Sequence, residues 1–130
     1  MVLSSQYKSF LFLLWHLSKA YHLENIGIAH LFSEAFTGFE DANSLWLQKN
    51  KLTSLEPGTF KILASLQLLN LCGNKMLTNI NPKAFKGLTR LRELILDWNQ
   101  LLPEKNIEEI RRTLPGVKVT AKKVVARIIS

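Results

Sequence analysis

Cysteine is almost absent from this chain, whose 130 residues include only Cys72. A single cysteine excludes an internal disulfide framework and a zinc site built from four cysteines. The three histidines, His16, His22 and His30, are scattered, and no metal-ligand spacing links them to each other or to Cys72. We therefore predict no bound metal.

Sequence motifs of catalysis are also missing. The chain has no G-x-S-x-G, no phosphate-binding loop and no H-E-x-x-H. The adjacent acids Glu108 and Glu109 are typical of the start of a helix rather than of a catalytic pair. We therefore predict a non-catalytic protein without a cofactor.

Acidic residues are scarce in the second half of the chain. Residues 1–60 hold four lysines against five acids, whereas residues 61–130 hold thirteen basic residues against five acids. The formal charges are −1 and +8, which sum to the net +7 of the chain. A basic half of this kind is found in solvated surfaces and also in surfaces that bind nucleic acid or anionic membranes.

Leucine is abundant and recurs at a fixed spacing. Leu45, Leu69 and Leu94 are separated by 24 and 25 residues, and three asparagines recur at the same steps. Each unit reads L-x-x-L-x-L-x-x-N-x-L, followed by x-x-L-x-P-x-x-F-x-x-L. The second unit has one extra residue in "NKMLTNI", because Asn74 to Ile80 is one residue longer than Asn50 to Leu55. The asparagines are Asn50, Asn74 and Asn99, and the other matched pairs are Pro57 with Pro82, Phe60 with Phe85, Leu63 with Leu88 and Leu66 with Leu91.

This pattern resembles the leucine-rich repeat family, most closely its type of about 24 residues with a proline and a phenylalanine in each unit. The match is specific over residues 42–101 and weaker on both flanks. The resemblance implies an α/β fold, a short right-handed solenoid with a parallel sheet on the concave side and short helical or irregular segments on the convex side. It also implies a binding module that contacts protein partners through the concave face.

Alternation within each unit predicts a short strand. Leu45 and Leu47 point to one side of the chain, and Trp46 points to the other. The asparagine after each strand is expected to bond open backbone groups in the turn through its side-chain amide. The predicted strands lie near residues 21–23, 45–47, 69–71, 94–96 and 117–119, the first on the weakest pattern.

The segment before the last strand predicts a true helix. Ile107, Ile110 and Leu114 follow helical spacing in "NIEEIRRTL". Asn106 and Glu109 form a pattern similar to a capping box, which predicts that the helix begins at Asn106.

The two ends of the chain each allow more than one interpretation. Residues 1–20 form an apolar segment that resembles a signal peptide cleaved after Ala20, or alternatively a helix that caps the first repeat. A secreted or cell-surface protein follows from the first interpretation, and a cytoplasmic one from the second. As a helix, residues 121–130 would have a basic and an apolar face, which is typical of a C-terminal capping helix or of a membrane-surface helix. A strand or a disordered tail is the remaining alternative. The solenoid itself is assigned to residues 21–120.

The face of the sheet turned away from the leucines is the predicted binding surface. Two tryptophans lie on it or at its rim, and tryptophan is enriched at interface hot spots. Alternatively, Trp46 packs over its neighbours and binds nothing. The residues assigned to partner binding are Trp46, Gln48, Lys49, Leu68, Asn70, Ile95, Asp97 and Trp98.

A protein of unknown identity is the predicted partner. One alternative is a structural fragment of a longer repeat array, without a partner of its own. The other is a basic surface that binds anions. The sequence argues against nucleic acid and against peripheral membrane contact, because Lys83, Lys86 and Arg90 are expected on the convex wall while Lys118 is expected on the concave face.

Overall fold

Five short parallel strands make the main sheet of the protein, whose computed structural model describes residues 19–124. Their order in the sheet is β1-β2-β4-β6-β7, and β3 pairs with β5 in a second parallel sheet. Each main strand begins within one residue of its predicted position, so the predicted stack of parallel strands is confirmed. The bounds are β1 Ala20–His22, β2 Ser44–Trp46, β3 Ser54–Leu55, β4 Leu68–Asn70, β5 Asn79–Ile80, β6 Glu93–Ile95 and β7 Lys118–Thr120.

The core lies on the leucine side of the main sheet. Leu45, Leu69 and Leu94 are aligned in register across β2, β4 and β6, and all three are fully buried. On the opposite wall, Phe60 packs against Phe36 and Phe85, with ring centroids 5.6 and 6.1 Å apart. Each unit therefore buries its apolar residues against its neighbours, as stacked repeats require.

Short helical segments form the far, convex side of the solenoid, as predicted. Two are single 3-10 turns, Ser33–Phe36 and Pro82–Phe85. The last unit has a true α-helix instead, α1 at Glu104–Thr113.

The predicted cap of α1 is wrong. The helix begins at Glu104, with Pro103 at the N-cap position and no side-chain cap. Asn106 lies inside the helix and is buried, and its amide bonds both backbone groups of Ile80. The Ile80 N–H donates to Asn106 Oδ1 at 2.8 Å, and Asn106 Nδ2 donates to the Ile80 carbonyl at 2.7 Å. Asn106 therefore docks the helix on β5 rather than starting it.

The repeated asparagines bond backbone in the turns after the strands, as predicted. Asn74 Nδ2 donates to the carbonyls of Leu47 and Leu71, at 3.2 and 2.9 Å. Asn99 Nδ2 donates to the Leu71 carbonyl at 3.1 Å, and Asn99 Oδ1 accepts the N–H of Asn74 at 2.8 Å. Each amide therefore joins its own unit to the preceding one.

Both ends of the described chain are part of the solenoid. The carbonyl of Lys19 accepts the N–H groups of Asn43 and Ser44, and its ammonium bonds Asp41. Cleavage after Ala20 would therefore cut within β1. The rest of the N-terminal segment, residues 1–18, lies outside the described residues, as do residues 125–130 of the C-terminal segment that was assigned to 121–130.

The described part of the C-terminal segment, residues 121–124, is not helical. The N–H of Val124 donates to Gln100 Oε1 at 2.9 Å, and Gln100 Nε2 donates back to the Val124 carbonyl at 3.3 Å. These two bonds attach the segment to the turn of the preceding unit.

Candidate partner-binding face

The side of the main sheet turned away from the core is called the open face here. Strand pairing places residues of neighbouring units side by side on it in rows. The central row runs across all five strands and consists of His22, Trp46, Asn70, Ile95 and Thr120. The row beside it consists of Ala20, Ser44, Leu68, Glu93 and Lys118.

Trp46 is held in a defined position on the open face. Its ring stacks on the imidazole of His22, with centroids 5.5 Å apart and planes 9° from parallel. Its indole N–H donates to Ser44 Oγ at 3.2 Å, and Glu24 bonds His22 Nδ1 at 3.1 Å. Trp46 therefore does pack on a neighbour, as the alternative interpretation expected. It is only half-buried, however, so part of its ring remains accessible.

Asn70 is on the open face but is not accessible, so its predicted exposure is wrong. It stands between Trp46 and Ile95 in the central row and is 8% exposed. Its Oδ1 accepts the N–H of Cys72 at 2.9 Å. Leu68, which was also assigned to partner binding, does not lie between Trp46 and Ile95 but in the neighbouring row, beside Ser44 and Glu93. The large side chains on either side shield Asn70, whose role is to hold the local backbone.

The polar edge of the open face lies just beyond the strands. Gln48, Cys72 and Asp97 follow β2, β4 and β6, and all three are partly exposed. Asp97 Oδ1 accepts the N–H of Lys122 at 2.8 Å, so this carboxylate is already partly used within the fold. Gln48 Oε1 is shielded and has no donor among the described residues.

Lys49 and Trp98 occupy equivalent turns at the rim of the open face. Their φ angles are +57° and +63°, in the left-handed region. Asn25 and Gly73 hold the same position in the other units, with φ of +53° and +69°. Both side chains are exposed, as the sequence predicted for the strand ends.

The only cysteine is a poor candidate for a reactive thiol. Burial, and to a smaller extent the Asp97 carboxylate, raise the pKa of the Cys72 thiol, while Lys49 opposes the shift. A raised pKa keeps the thiol protonated at neutral pH, and the protonated thiol is a weak nucleophile.

Sequence reasoning missed His22, the residue on which Trp46 stacks. A signal was available, because His22 precedes Trp46 by one 24-residue step. The weak pattern of the first strand concealed it.

Over residues 19–124 the structure shows no group of three or more acidic, histidine or cysteine residues placed to hold a metal ion. Within the same range, no helix is long and apolar enough to cross a membrane.

Comparison with known proteins agrees with this geometry. The family model described as Leucine rich repeat matches residues 22–76 and 40–101, which together make up more than half of the chain. The chain belongs to the leucine-rich repeat family. Leucine-rich repeat domains are generally protein–protein interaction modules and are typically non-enzymatic.

A solved leucine-rich repeat structure has the same fold. The crystal structure of the leucine-rich repeat domain of APL1B superposes with a TM-score of 0.67 at 19% identity. The likeness covers 97% of this chain and 39% of that chain, so this leucine-rich repeat chain spans less than half of the length of its structural match. No curated protein matches the chain by sequence.

Proposed function

We propose that this leucine-rich repeat protein binds a protein partner on its open face, centred on Trp46 and Ile95. The observation that supports the proposal best is the fixed position of Trp46. Its ring is oriented by the His22 stack and by the bond to Ser44, yet it keeps exposed surface. An aromatic side chain that is already ordered loses little conformational entropy on binding, which favours affinity.

The surroundings of Trp46 suit an interface. Ile95 and Leu68 are half-buried and add apolar surface in the central and neighbouring rows. Gln48 and Asp97 supply polar groups beyond the strands, with Lys49 and Trp98 at the rim. An apolar centre with a polar rim is the usual anatomy of a protein–protein interface.

The test is capture of the partner from extracts of the native host, followed by identification and rebinding with purified components. We expect Trp46→Ala and Ile95→Ala to weaken rebinding about thirtyfold, as loss of a central anchor of about 2 kcal/mol implies. Both variants should keep the circular dichroism of the unmodified protein, because neither side chain lies in the buried core.

Lys86→Ala is the matched control, since Lys86 is exposed and directly follows the 3-10 turn Pro82–Phe85 on the far side. Loss of capture by Lys86→Ala with full capture by Trp46→Ala would place the functional surface on the convex wall. If the unmodified protein retains no specific partner, the alternative of a structural segment of a repeat array is favoured.

A further inference from the structure

A groove lies at the rim of the open face, where the chain turns after β2, β4 and β6. Its volume is about 700 Å³, within the usual range of small-ligand sites of about 300–1,000 Å³. Its walls include Lys49, Lys51, Lys75, Met76 and Trp98. Gly73 also lines it, at the turn between those of Lys49 and Trp98, and contributes no side chain there.

The groove is positively charged. Three lysines line it, and all three are exposed. No carboxylate is among its lining residues over the described range, and none of the three lysines forms an ion pair with a described residue. Three lysines that form no ion pair within residues 19–124 provide a site for a ligand with several negative charges.

Two large apolar side chains, Met76 and Trp98, also line the groove. Met76 is 53% exposed and Trp98 is 43% exposed. Met76 lies in the segment "NKMLTNI", which is one residue longer than its counterpart after Asn50. Exposed large apolar groups beside a polar wall are typical of binding surfaces.

The backbone of Trp98 adds a third observation. Its φ of +63° is unusual for a bulky residue, whereas asparagine and glycine, found in the equivalent turns at Asn25 and Gly73, adopt this conformation readily. Strained positions of this kind cluster at functional sites. Lys49, with φ of +57°, and Trp98 are the two residues of these turns that are neither asparagine nor glycine, and both line the groove.

From these three observations we infer that the groove binds an acidic segment of a protein, one that also carries an aromatic or large aliphatic side chain. The carboxylates of the segment bond the lysines, and its apolar side chain packs on Trp98 and Met76. The inference rests on the proposed function, because Lys49 and Trp98 belong to both surfaces, and it names the chemistry of the partner. Single-stranded nucleic acid is disfavoured because it stacks successive bases on several aromatic rings, and Trp98 is the one aromatic residue lining the groove in the described range.

The test uses the purified full chain and fluorescein-labelled synthetic peptides, followed by fluorescence anisotropy. The probe is a short peptide of aspartate and glutamate with one central phenylalanine. Two comparison peptides replace the phenylalanine by serine or the acids by lysines. We expect the acidic phenylalanine peptide to bind most tightly, with an affinity that falls as salt is raised because screening weakens exposed charge pairs.

Variants assign the binding to the groove. Joint substitution Lys51→Gln and Lys75→Gln should weaken binding about tenfold or more, since charge-assisted bonds are lost. Trp98→Asn keeps a residue type that tolerates the left-handed turn and should also weaken binding, while Lys86→Gln on the far side should not. Equal effects of Lys86→Gln and of the groove variants would overturn the inference.

Other outcomes separate the inference from the proposed function. Stronger binding of oligo-dT or of phosphatidylserine vesicles than of the acidic peptide overturns the choice of ligand. Peptide binding that depends on Trp46 but not on Trp98 or the lysines overturns the groove and supports the open face. Peptide binding that depends on the groove, with natural partner capture unaffected by Trp46→Ala, supports the groove and overturns the proposed function.

Discussion

Asparagine is the residue that holds successive units of this solenoid together. Asn74 is fully buried, and its amide reaches the carbonyls of Leu47 and Leu71, which belong to two different units. Each of these carbonyls also accepts from a second asparagine, Leu47 from Asn50 and Leu71 from Asn99. The bonding is therefore shared, and one asparagine can be lost without leaving either carbonyl bare.

The shared bonding predicts an order of effects. Asn74→Ala removes two hydrogen bonds while both carbonyls keep a donor, so we expect a loss of about 1–2 kcal/mol in the free energy of unfolding. Asn99→Ala removes the acceptor of the buried Asn74 N–H, and an unpaired buried donor raises the expected loss to about 2–4 kcal/mol. Urea unfolding monitored by circular dichroism measures both, and a larger loss for Asn74→Ala would show that the sharing does not protect the carbonyls.

Asn70 and Asn79 provide the controls for these variants. Asn79 is exposed, and its replacement by alanine should change stability by less than about 0.5 kcal/mol. Asn70→Ala leaves the N–H of the partly exposed Cys72 without its acceptor, and we expect a loss of about 1 kcal/mol. A loss near zero would mean that water replaces the Asn70 amide as the acceptor of the Cys72 N–H. That result would fit the exposed Asn70 that the sequence predicted.

At the scale of elements, α1 depends on a contact with a distant strand. Asn106 is buried at 8% exposure and bonds both backbone groups of Ile80 in β5. Ile107 and Ile110 on the same helix are buried in the core. The helix is therefore positioned by the two hydrogen bonds between Asn106 and Ile80 and by the apolar side chains of Ile107 and Ile110.

Replacement of Asn106 tests this docking. Asn106→Ala leaves a buried N–H and a buried carbonyl of Ile80 without their asparagine partner, so we expect a loss of about 2–4 kcal/mol in the free energy of unfolding. Glu108→Ala is the control on the exposed side of the same helix, where only a 4.0 Å ion pair with Arg112 is lost, at a cost below about 0.5 kcal/mol. Equal losses in thermal or urea unfolding would contradict the docking role.

Prediction from sequence succeeded for these elements where the determinant was local. The alternation of Leu45, Trp46 and Leu47 predicted both the strand and the side of the sheet that each residue faces. The helical spacing of Ile107, Ile110 and Leu114 predicted α1. The role of Asn106 could not be predicted in this way. With Glu109 it satisfies the spacing of a capping box, and its actual partner, Ile80, lies 26 residues earlier in the chain.

The same limit applies to the candidate site. Alternation placed Asn70 on the open face, but its accessibility depends on the side chains of Trp46 and Ile95 in neighbouring strands. The groove was missed for a related reason. Its lysines, Met76 and Trp98 come from three successive turns, and their proximity follows from stacking and from positive φ angles rather than from any short motif.

At the scale of the whole molecule, stability comes from contacts between adjacent units. The rings of Phe36, Phe60 and Phe85 pack against one another from one unit to the next, and one five-stranded sheet joins the units on the other side of the core. In repeat proteins the free energy is close to a sum of unit terms and nearest-neighbour interface terms. A substitution that disturbs the contact between two units, and leaves each unit otherwise unchanged, should therefore lower the free energy of unfolding through the interface term alone.

Two glycines at equivalent positions allow that separation. Gly38 and Gly87 each follow the phenylalanine of their unit by two residues, with φ of +97° and +96°. An added Cβ at Gly38 would meet nothing within 4 Å. At Gly87 it would lie 3.0 Å from the carbonyl oxygen and 3.2 Å from the Cα of Lys61, which belong to the backbone of the preceding unit.

Gly38→Ala should therefore cost only the strain of a left-handed alanine, about 1–2 kcal/mol. Gly87→Ala carries the same strain and must also push apart two packed backbones, which adds about 1–3 kcal/mol. Urea unfolding of the two variants isolates the extra cost, because the strain cancels in the comparison. We expect the difference to appear with an unchanged slope against urea, since the surface exposed on unfolding stays the same. Equal losses would show that the two backbones at Gly87 and Lys61 adjust to the added Cβ at no measurable cost, and the close contact would then not contribute to the interface term.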